Sequence, residues 1–197
     1  MTQHLQNKQI LVCVCGGISA YKVCDVVSKL AQSGAQVTVA MTKEAQNFVG
    51  PTTFRALSNN PVYTDLWEAV DLKDPNHIRL ARNADLVLVA PCTGNTLAKM
   101  AGGLADDLVS TLLLATDPKK ILVAAAMNEG MWNHPATQRN AKRVFEDGAQ
   151  FVGPAAGWQA CRTQGMGRMS EPADILSAIE ARLAPQTTQA NPPHFTP

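Results

Sequence analysis

The residues of this chain that could do chemistry gather at the ends of apolar runs. The clearest stretch is Ala124–Pro135, reading A-A-A-M-N-E-G-M-W-N-H-P, directly after the apolar run Ile121–Val123. That run predicts a buried strand, and ligands of open α/β sheets bind in the crevice beyond the carboxyl ends of the strands. Asn128 would present an amide there, which both donates and accepts hydrogen bonds. The alternative is a strand end with core Met and Trp side chains and Asn in a turn.

A pair of glycines, Gly16-Gly17, ends the apolar run Gln9–Cys15 and precedes a helical pattern over Ile18–Ser33. A strand, a Gly-Gly turn and a helix can place backbone N–H groups and the positive end of the helix beneath a phosphate. The G-x-G-x-x-G dinucleotide fingerprint is absent, and a plain tight turn would explain the pair as well. The loop is therefore a candidate phosphate site.

Two other strand ends carry similar polar groups. The run Asp85–Ala90 is followed by P-C-T-G-N-T-L-A-K, whose hydroxyl and amide groups suit contacts with a phosphate or the edge of a polar heterocycle. Thr42 follows the predicted strand Gln36–Met41 and could cap the next helix or bind a ligand; taken alone, it favours the cap.

Two isolated residues could act in proton transfer. His77, in N-H-I-R-L-A, lies near a predicted helix start, where a histidine is more often structural or solvated than catalytic. At the rim of a ligand crevice, however, its imidazole would be a natural base near neutral pH. Cys161 lies at the centre of the Gly-rich stretch 153–172, which we predict to be a long loop. Such loops are often lids, and this position predicts an accessible thiol.

Composition limits the class of protein. A length of 197 residues, with 46% hydrophobic and 17% charged residues, is typical of a soluble protein of one domain, or at most two small ones. A net charge of +1 gives no basic field for nucleic acid, and no apolar run approaches the roughly 20 residues of a membrane span. Five cysteines without a CxxC pair favour the cytoplasm, and four scattered histidines show no metal-ligand spacing.

The elements that must position these residues alternate along the chain. Strands are predicted at 9–15, 36–41, 85–90, 121–123 and 150–152, with a short extended piece at 62–66 and a polar loop at 68–76. Helices are predicted at 18–33, 51–57, 104–115, 136–145 and 173–183, with Asp106-Asp107 beginning the third. This pattern predicts a doubly wound, mostly parallel α/β sheet, Rossmann- or flavodoxin-like, in three α/β/α layers. We expect residues 1–184 to form a single domain and 185–197 to be a disordered tail.

Five motifs in this order resemble those of the homo-oligomeric flavin-containing cysteine decarboxylases, and in particular the phosphopantothenoylcysteine decarboxylases. They are G-G-I-S-A-Y-K, N-H-I-R-L-A, A-P-C-T-G-N-T-L-A-K, A-A-M-N-E-G-M-W and A-C-R-T-Q-G-M-G-R-M. The resemblance extends from Gln9 to Leu183.

The resemblance implies FMN as the cofactor. Its phosphate and ribityl contacts would come from Gly16, Gly17, Ile18, Thr42, Thr93, Gly94, Asn95 and Thr96, and its ring would lie near Phe48, Ala126 and Met127.

The resemblance also implies the reaction, in which 4′-phosphopantothenoylcysteine is converted to 4′-phosphopantetheine and carbon dioxide in coenzyme A biosynthesis, through a thioaldehyde and an enethiolate. His77 would be the base, Asn128 would bind the substrate carboxylate, and Cys161, on a substrate-covering flap at 153–172, would be the acid. Further substrate contacts would come from Met131, Trp158 and Ala160.

Three positions depart from the family pattern. Ala125 replaces a proline, Gly17 stands where a serine is common, and Arg162 replaces the glycine that usually follows the cysteine. The change at Arg162 bears on the geometry of the flap.

The resemblance further implies a homotrimer with active sites between subunits, sometimes assembled into a homododecamer. A separate phosphopantothenoylcysteine synthetase is expected, unless the chain is a fragment of a fused protein.

Three other functions compete. An oxidative peptidyl-cysteine decarboxylase stops at the enethiol and lacks a reducing cysteine, so Cys161 argues against it. A prenyl-flavin synthase shares the fold but does not suit His77 together with the Met127-Asn128 motif. A non-catalytic flavin-binding regulatory subunit typically carries an acidic tail, whereas this tail is neutral.

Overall fold

Six parallel strands form the central sheet. The structure is a computed structural model that describes residues 3–67 and 76–184. Residues 68–75 of the loop predicted over 68–76, and the tail predicted over 185–197, lie outside the described residues, and Asn76 begins a helix. The strands are β1 Gln9–Val14, β2 Gln36–Met41, β3 Val62–Tyr63, β4 Leu86–Cys92, β5 Ile121–Ala125 and β6 Gln150–Phe151. Their order is β3-β2-β1-β4-β5-β6, and each neighbouring pair is parallel.

This order confirms the predicted doubly wound fold and determines where a ligand can bind. The chain winds outward from β1 in one direction and from β4 in the other, so the order of the strands reverses between these two neighbours. At such a switch point the loops beyond the two strands diverge to opposite faces and leave a crevice.

Helices cover both faces of the sheet and complete the three layers. One layer contains α1 Ala20–Gln32, α2 Pro51–Ser58 and α8 Pro172–Leu183, and the other contains α3 Asn76–Asn83, α4 Gly94–Gly102, α5 Leu108–Leu114 and α7 Pro135–Glu146. A short helix, α6 Glu129–Trp132, follows β5, and 3-10 helices occupy Gln3–Leu5, Glu44–Asn47 and Pro118–Lys120. The longest helix, α1, has 13 residues, and within the described ranges no helix is long and apolar enough to cross a membrane.

Strand β1 shows why the apolar runs of the sequence are continuous rather than alternating. Ile10, Val12 and Val14 pack into the core beneath α1, whereas Leu11 and Cys13 pack into the core on the opposite face. Successive side chains of a strand point to opposite faces, so a strand with a helix layer on each side buries all of them.

The predicted helix over 104–115 begins later than expected. Helix α5 starts at Leu108, because Asp107 caps it: its carboxylate accepts a hydrogen bond from Ser110 N–H (2.8 Å), and the Ser110 hydroxyl accepts one from Asp107 N–H (3.0 Å). Asp106 and Asp107 both pair with Lys99 Nζ, each at 2.6 Å. Residues 104–107 therefore connect α4 to α5 and are not helical.

The segment 153–172 was predicted to be a loop, and this prediction was wrong. It contains two antiparallel strands, β7 Ala155–Trp158 and β8 Gln164–Arg168, which pair with each other and form a sheet separate from the central one. We call residues 155–168 the flap hairpin.

Candidate functional site

A cleft of about 640 Å³ lies at the carboxyl ends of β1, β4 and β5. Its walls are the loops that follow these strands, the first turn of α1 and the flap hairpin. Among the residues predicted to act in the site, those that line this cleft are Gly16, Gly17, Ile18, Thr93, Gly94, Ala126, Met127, Asn128, Met131, Trp158, Ala160 and Cys161. It thus brings together four stretches that are far apart in the sequence.

The other predicted site residues do not line the cleft of this chain. Thr42 is buried and its hydroxyl accepts a hydrogen bond from Ala45 N–H (3.2 Å), which is the capping geometry that its sequence context favoured. Thr96 is buried with its hydroxyl 3.1 Å from that of Thr93. Asn95 and Phe48 are exposed, and His77 lies partly buried on α3. A role for these five residues remains a prediction.

The loop after β1 can accept an anion through its backbone. A Cβ atom at Gly16 would lie 2.4 Å from Glu44 Cβ and 3.0 Å from the Glu44 backbone carbon, so this close passage requires glycine. Within the loop, Gly17 N–H donates to Cys15 O and Ala20 N–H donates to Gly17 O. In the described part of the chain, the N–H groups of Ile18 and Ser19 have no acceptor and are available to a ligand at the start of α1.

A second helix begins at the same cleft. Thr93 caps α4, since its hydroxyl oxygen accepts a hydrogen bond from Thr96 N–H at 3.2 Å. The helix then starts with Gly94, whose absent side chain leaves room beside Met127 and Met131, the nearest atoms to a Cβ placed there being 3.7–3.8 Å away. Both helices present their positive ends to the cleft, which favours a bound anion.

Asn128 is held in a fixed orientation by the helix that it caps. Its side-chain oxygen accepts hydrogen bonds from Gly130 N–H (2.8 Å) and Met131 N–H (3.4 Å), at the start of α6. Because the oxygen is occupied, the amide nitrogen is the group that remains for the cleft. This nitrogen donates to Cys161 Sγ at 3.3 Å, across the gap between α6 and the flap hairpin.

The Cys161 thiol differs from the other thiols of the chain. It is exposed, and hydrogen bonds, first with Thr163 and then with Asn128, lower its pKa below the usual range. Cys13, Cys15 and Cys92 are buried, and burial raises their pKa values, that of Cys15 to about 12. A thiol that is both exposed and lowered in pKa ionises readily and can react. Cys161 has both properties.

An ion-paired group joins the flap hairpin to the rest of the cleft. Lys22, on the first turns of α1, lies 3.0 Å from both carboxylate oxygens of Glu171, and Arg168 of β8 pairs with the same carboxylate at 2.6 Å. These contacts lower the pKa of Glu171. The flap hairpin is thus fixed at its base to α1 and to the start of α8.

Sequence reasoning missed some residues of the cleft. The structure adds Ser19, Tyr21, Lys22, Gln159, Gly167 and Arg168 to the predicted set. Ser19, Tyr21 and Lys22 belong to the G-G-I-S-A-Y-K motif, and Gly167 and Arg168 to the G-M-G-R-M end of the cysteine motif, so their sequence context was available as a signal. Gln159 gave no such signal, and its importance follows from its burial within the hairpin.

The chemistry of the cleft defines a class of protein. Free backbone N–H groups and two helix ends suit a phosphate, whereas Ala126, Met127 and Met131 offer an apolar surface to a ring. No group of three or more His, Cys, Asp or Glu residues within 3–67 and 76–184 could hold a metal ion. The fold and the site are those of a doubly wound α/β protein that binds a phosphorylated, ring-containing cofactor at its switch point.

The chain belongs to the Flavoprotein family, whose model matches residues 1–184. It is 45% identical over 185 residues to the coenzyme A biosynthesis bifunctional protein CoaBC of Bacillus subtilis (strain 168), an alignment covering 93% of this chain and 45% of that protein. The chain therefore spans less than half the length of this curated relative.

Solved structures show the same fold over nearly their whole length. A PPC decarboxylase mutant complexed with pantothenoylaminoethenethiol has a TM-score of 0.81 and 32% identity, covering 88% of this chain and 97% of that chain. The FMN-dependent cysteine decarboxylase SpaF has a TM-score of 0.78 and 31% identity, covering 91% and 97%.

Proposed function

We propose that this chain is an FMN-dependent decarboxylase that converts 4′-phosphopantothenoylcysteine to 4′-phosphopantetheine in coenzyme A biosynthesis. The observation that carries this proposal is the contact of Asn128 Nδ2 with Cys161 Sγ, 3.3 Å apart, inside the cleft that also holds the two anion-accepting loops. An amide donor and an ionisable thiol beside a flavin site are the groups that such a reaction needs. The similarity to CoaBC and to PPC decarboxylase supports the same substrate.

The cleft fits FMN by its size and by its donors. A volume of about 640 Å³ is within the range of cofactor sites. The N–H groups of Ile18 and Ser19 and the start of α4 would hold the phosphate, and Ala126 and Met127 would lie against the ring. When bound, FMN would take two electrons from the cysteinyl group of the substrate and later return them.

Asn128 and Cys161 would act at different stages of the reaction, Asn128 in binding the substrate and Cys161 in the last proton transfer. The amide N–H groups of Asn128 would bind the substrate carboxylate, because the Asn128 oxygen is already engaged by α6. After carbon dioxide leaves, the Cys161 thiol would give its proton to carbon and complete the reduced product. The flap hairpin would keep water away from the reactive enethiolate.

Within 3–67 and 76–184, no histidine or carboxylate of the chain lines its own cleft. Among its described lining residues the ionisable side chains are Tyr21, Lys22, Cys161 and Arg168, and none of these is a histidine or a carboxylate. We propose that His77 of a second copy of the chain supplies the base. The same arrangement would bring Phe48 to the flavin.

Exposed apolar side chains at the mouth of the cleft support this assembly. Tyr21 is 60% exposed, Met131 53% and Trp158 66%, and all three line the cleft. Burying such side chains against another copy would be favourable. We therefore propose a homotrimer, with a homododecamer as the alternative assembly.

The proposal also covers the extent of the domain, the source of the substrate and the cellular compartment. Residues 1–184 would act as one domain, and residues 153–172 would be its substrate flap. A phosphopantothenoylcysteine synthetase, the kind of partner that the similarity to CoaBC supports, would supply the substrate. The cytoplasm is the proposed compartment, because the five cysteines are free thiols, the state that a reducing compartment maintains.

The test is product analysis with 4′-phosphopantothenoylcysteine and FMN under anaerobic conditions. Wild type should yield 4′-phosphopantetheine, whereas Cys161→Ser should stall at a product two hydrogens lighter. If wild type itself stalls there, the chain is an oxidative decarboxylase like those that stop at the enethiol. If the protein binds FMN but leaves the substrate unchanged, the decarboxylase assignment is wrong and a flavin-binding regulatory role takes its place.

A further inference from the structure

The tip of the flap hairpin is a tight turn that brings two side chains together. Gln159 N–H donates to Thr163 O (2.8 Å), and Arg162 N–H donates to Gln159 O (2.9 Å). Arg162 closes this turn with a φ of 66°, in the left-handed region. In this conformation the Cys161 sulfur lies 2.9 Å from the Thr163 hydroxyl oxygen.

The buried Gln159 amide fixes this turn to the rest of the site. Its oxygen accepts a hydrogen bond from Glu129 N–H at the start of α6 (3.1 Å), and its nitrogen donates to Met166 O on β8 (2.8 Å). The Gln159 oxygen is farther from the Cys161 sulfur (3.6 Å) and from the Thr163 hydroxyl (3.5 Å). The turn is therefore held by Gln159, while the sulfur itself is closest to Thr163.

The Cys161 sulfur has a second donor on its other side, the Asn128 amide at 3.3 Å. The charged side chains on the elements around the turn are hydrogen-bonded, ion-paired or exposed. Glu129 of α6 accepts from Met166 N–H (3.3 Å), and Arg168 of β8 pairs with Glu171. Arg162, within the turn, is exposed. The ionisation of the thiol is thus set mainly by neutral hydrogen-bond donors, of which Thr163 has the largest effect.

We propose that Thr163 is a positioning residue for Cys161, whose hydroxyl donates a hydrogen bond to the sulfur when that sulfur is a thiolate. This inference rests on the proposed function. In the thiol state either atom can donate, but after Cys161 loses its proton only the Thr163 hydroxyl has one to give.

The proposed step is a proton transfer. The S–H bond of Cys161 breaks and its electron pair stays on sulfur as the thiolate, while the π electron pair of the enethiolate carbon–carbon double bond forms the new C–H bond with the proton. The two electrons that complete the reduction of the substrate would come from reduced FMN. Hydrogen bonds from Thr163 and Asn128 stabilise that thiolate, so the proton is given up more readily, and water later restores it.

The test measures the rate of Cys161 alkylation by iodoacetamide as a function of pH, by mass spectrometry of the Cys161 peptide, in the full chain without substrate. Thr163→Val removes the hydroxyl but keeps the branched shape, and should raise the measured pKa by about one pH unit. Thr163→Ser keeps the hydroxyl and should restore the wild-type value. A purely structural role of Thr163 would not predict this rescue.

A wild-type titration curve in a folded Thr163→Val variant overturns the proposal, as does a Thr163→Ser variant that behaves like Thr163→Val. Should Thr163→Val fail to fold, Thr163→Ala and Thr163→Ser provide the same comparison. The same variants, supplied with FMN and 4′-phosphopantothenoylcysteine, test whether the Cys161 proton is transferred to the substrate. Thr163→Val should accumulate more of the product that is two hydrogens lighter. If the titrations behave as expected but wild type does not turn over, the proposed function is wrong and Cys161 is not a proton donor to this substrate.

Discussion

Gly167 lies at the contact that holds the flap hairpin over the cleft. Its carbonyl accepts a hydrogen bond from Met127 N–H at 2.8 Å, and its φ is 119°, a value that side chains of L-amino acids rarely adopt. A Cβ atom added there would lie 2.4 Å from the Met127 carbonyl oxygen. The Cβ atom and the Met127 carbonyl oxygen are both attached directly to the backbone, so no side-chain rotation can relieve this clash. Gly167→Ala must therefore separate the flap hairpin from the chain after β5.

The size of the effect follows from two contributions. A residue other than glycine in such a conformation costs about 1–3 kcal/mol, and a lost backbone hydrogen bond costs about 1 kcal/mol. Together they give about 3 kcal/mol, which lowers the ratio of docked to undocked hairpin by roughly 150-fold. We therefore expect Cys161 to leave its position beside Asn128 far more often than in wild type.

Hydrogen exchange read by mass spectrometry is the suitable assay, since it resolves the flap hairpin from the core. Peptides covering 155–168 and 126–132 should exchange much faster in Gly167→Ala, whereas those from β1 and β4 should be unaffected. Gly103→Ala is the matched control, because Gly103 also has a positive φ (68°) but a Cβ there meets nothing within 4 Å. It should lower stability by about 1 kcal/mol without exposing the flap hairpin.

Unchanged protection of the hairpin in Gly167→Ala would refute this reasoning. It would mean that the ion pairs at the hairpin base, and not the contact with Met127, hold the flap in place. The product should change as well: Gly167→Ala should stall two hydrogens short, as we expect for a displaced Cys161.

Three further predictions concern stability and reactivity. Phe54→Ala should lower the free energy of unfolding by about 3–5 kcal/mol in denaturant titrations, because this fully buried ring leaves a cavity. Iodoacetamide at neutral pH should alkylate Cys161 well before any other cysteine, as read by peptide mass spectrometry, because its thiol is exposed and has a lowered pKa. Lys99 lowers the pKa of Asp106, so their pairing should stabilise the fold fully above about pH 4 and lose its effect as the pH falls through the lowered value.

Each of these has a control and a contrary outcome. Trp67→Ala, an 85% exposed aromatic, should change the unfolding free energy by no more than about 0.5 kcal/mol, and a loss equal to that of Phe54→Ala would contradict the burial argument. Early labelling of Cys15 would show that β1 opens readily. For the ion pair, the difference in melting temperature between wild type and Asp106→Asn should vanish in strong acid; a difference that persists there would point to packing in place of charge.

Much of the sheet was predictable because its strands are buried on both faces. Strand β2 was predicted with its observed bounds, Gln36–Met41, and β1 and β5 were placed to within two residues at their ends. Continuous apolar runs bounded by glycine or polar residues are a strong signal for strands between two helix layers. The crevice could then be inferred, since the loops after parallel strands meet at one edge of the sheet.

The flap hairpin was not predictable in the same way. Its strands read A-A-G-W and Q-G-M-G-R, with little of the β-branched or alternating pattern that indicates a strand. What stabilises the hairpin lies elsewhere in the chain: the Met127 N–H group, the start of α6 and the carboxylate of Glu171. The residues of the hairpin itself do not indicate these contacts, because their partners lie elsewhere in the sequence.

The sequence by itself determined the order of the elements, the glycine loop, the hydrogen bond of Thr42 to the following turn and the chemical groups of the site, because these depend on local patterns and on residue type. Only the tertiary structure decided which groups meet. It oriented Asn128 by engaging its oxygen at the start of α6, and it brought Thr163 to the Cys161 sulfur through a turn held by Gln159. It also placed His77 outside the cleft of its own chain. Distances between groups far apart in sequence are set by packing, which no local pattern encodes.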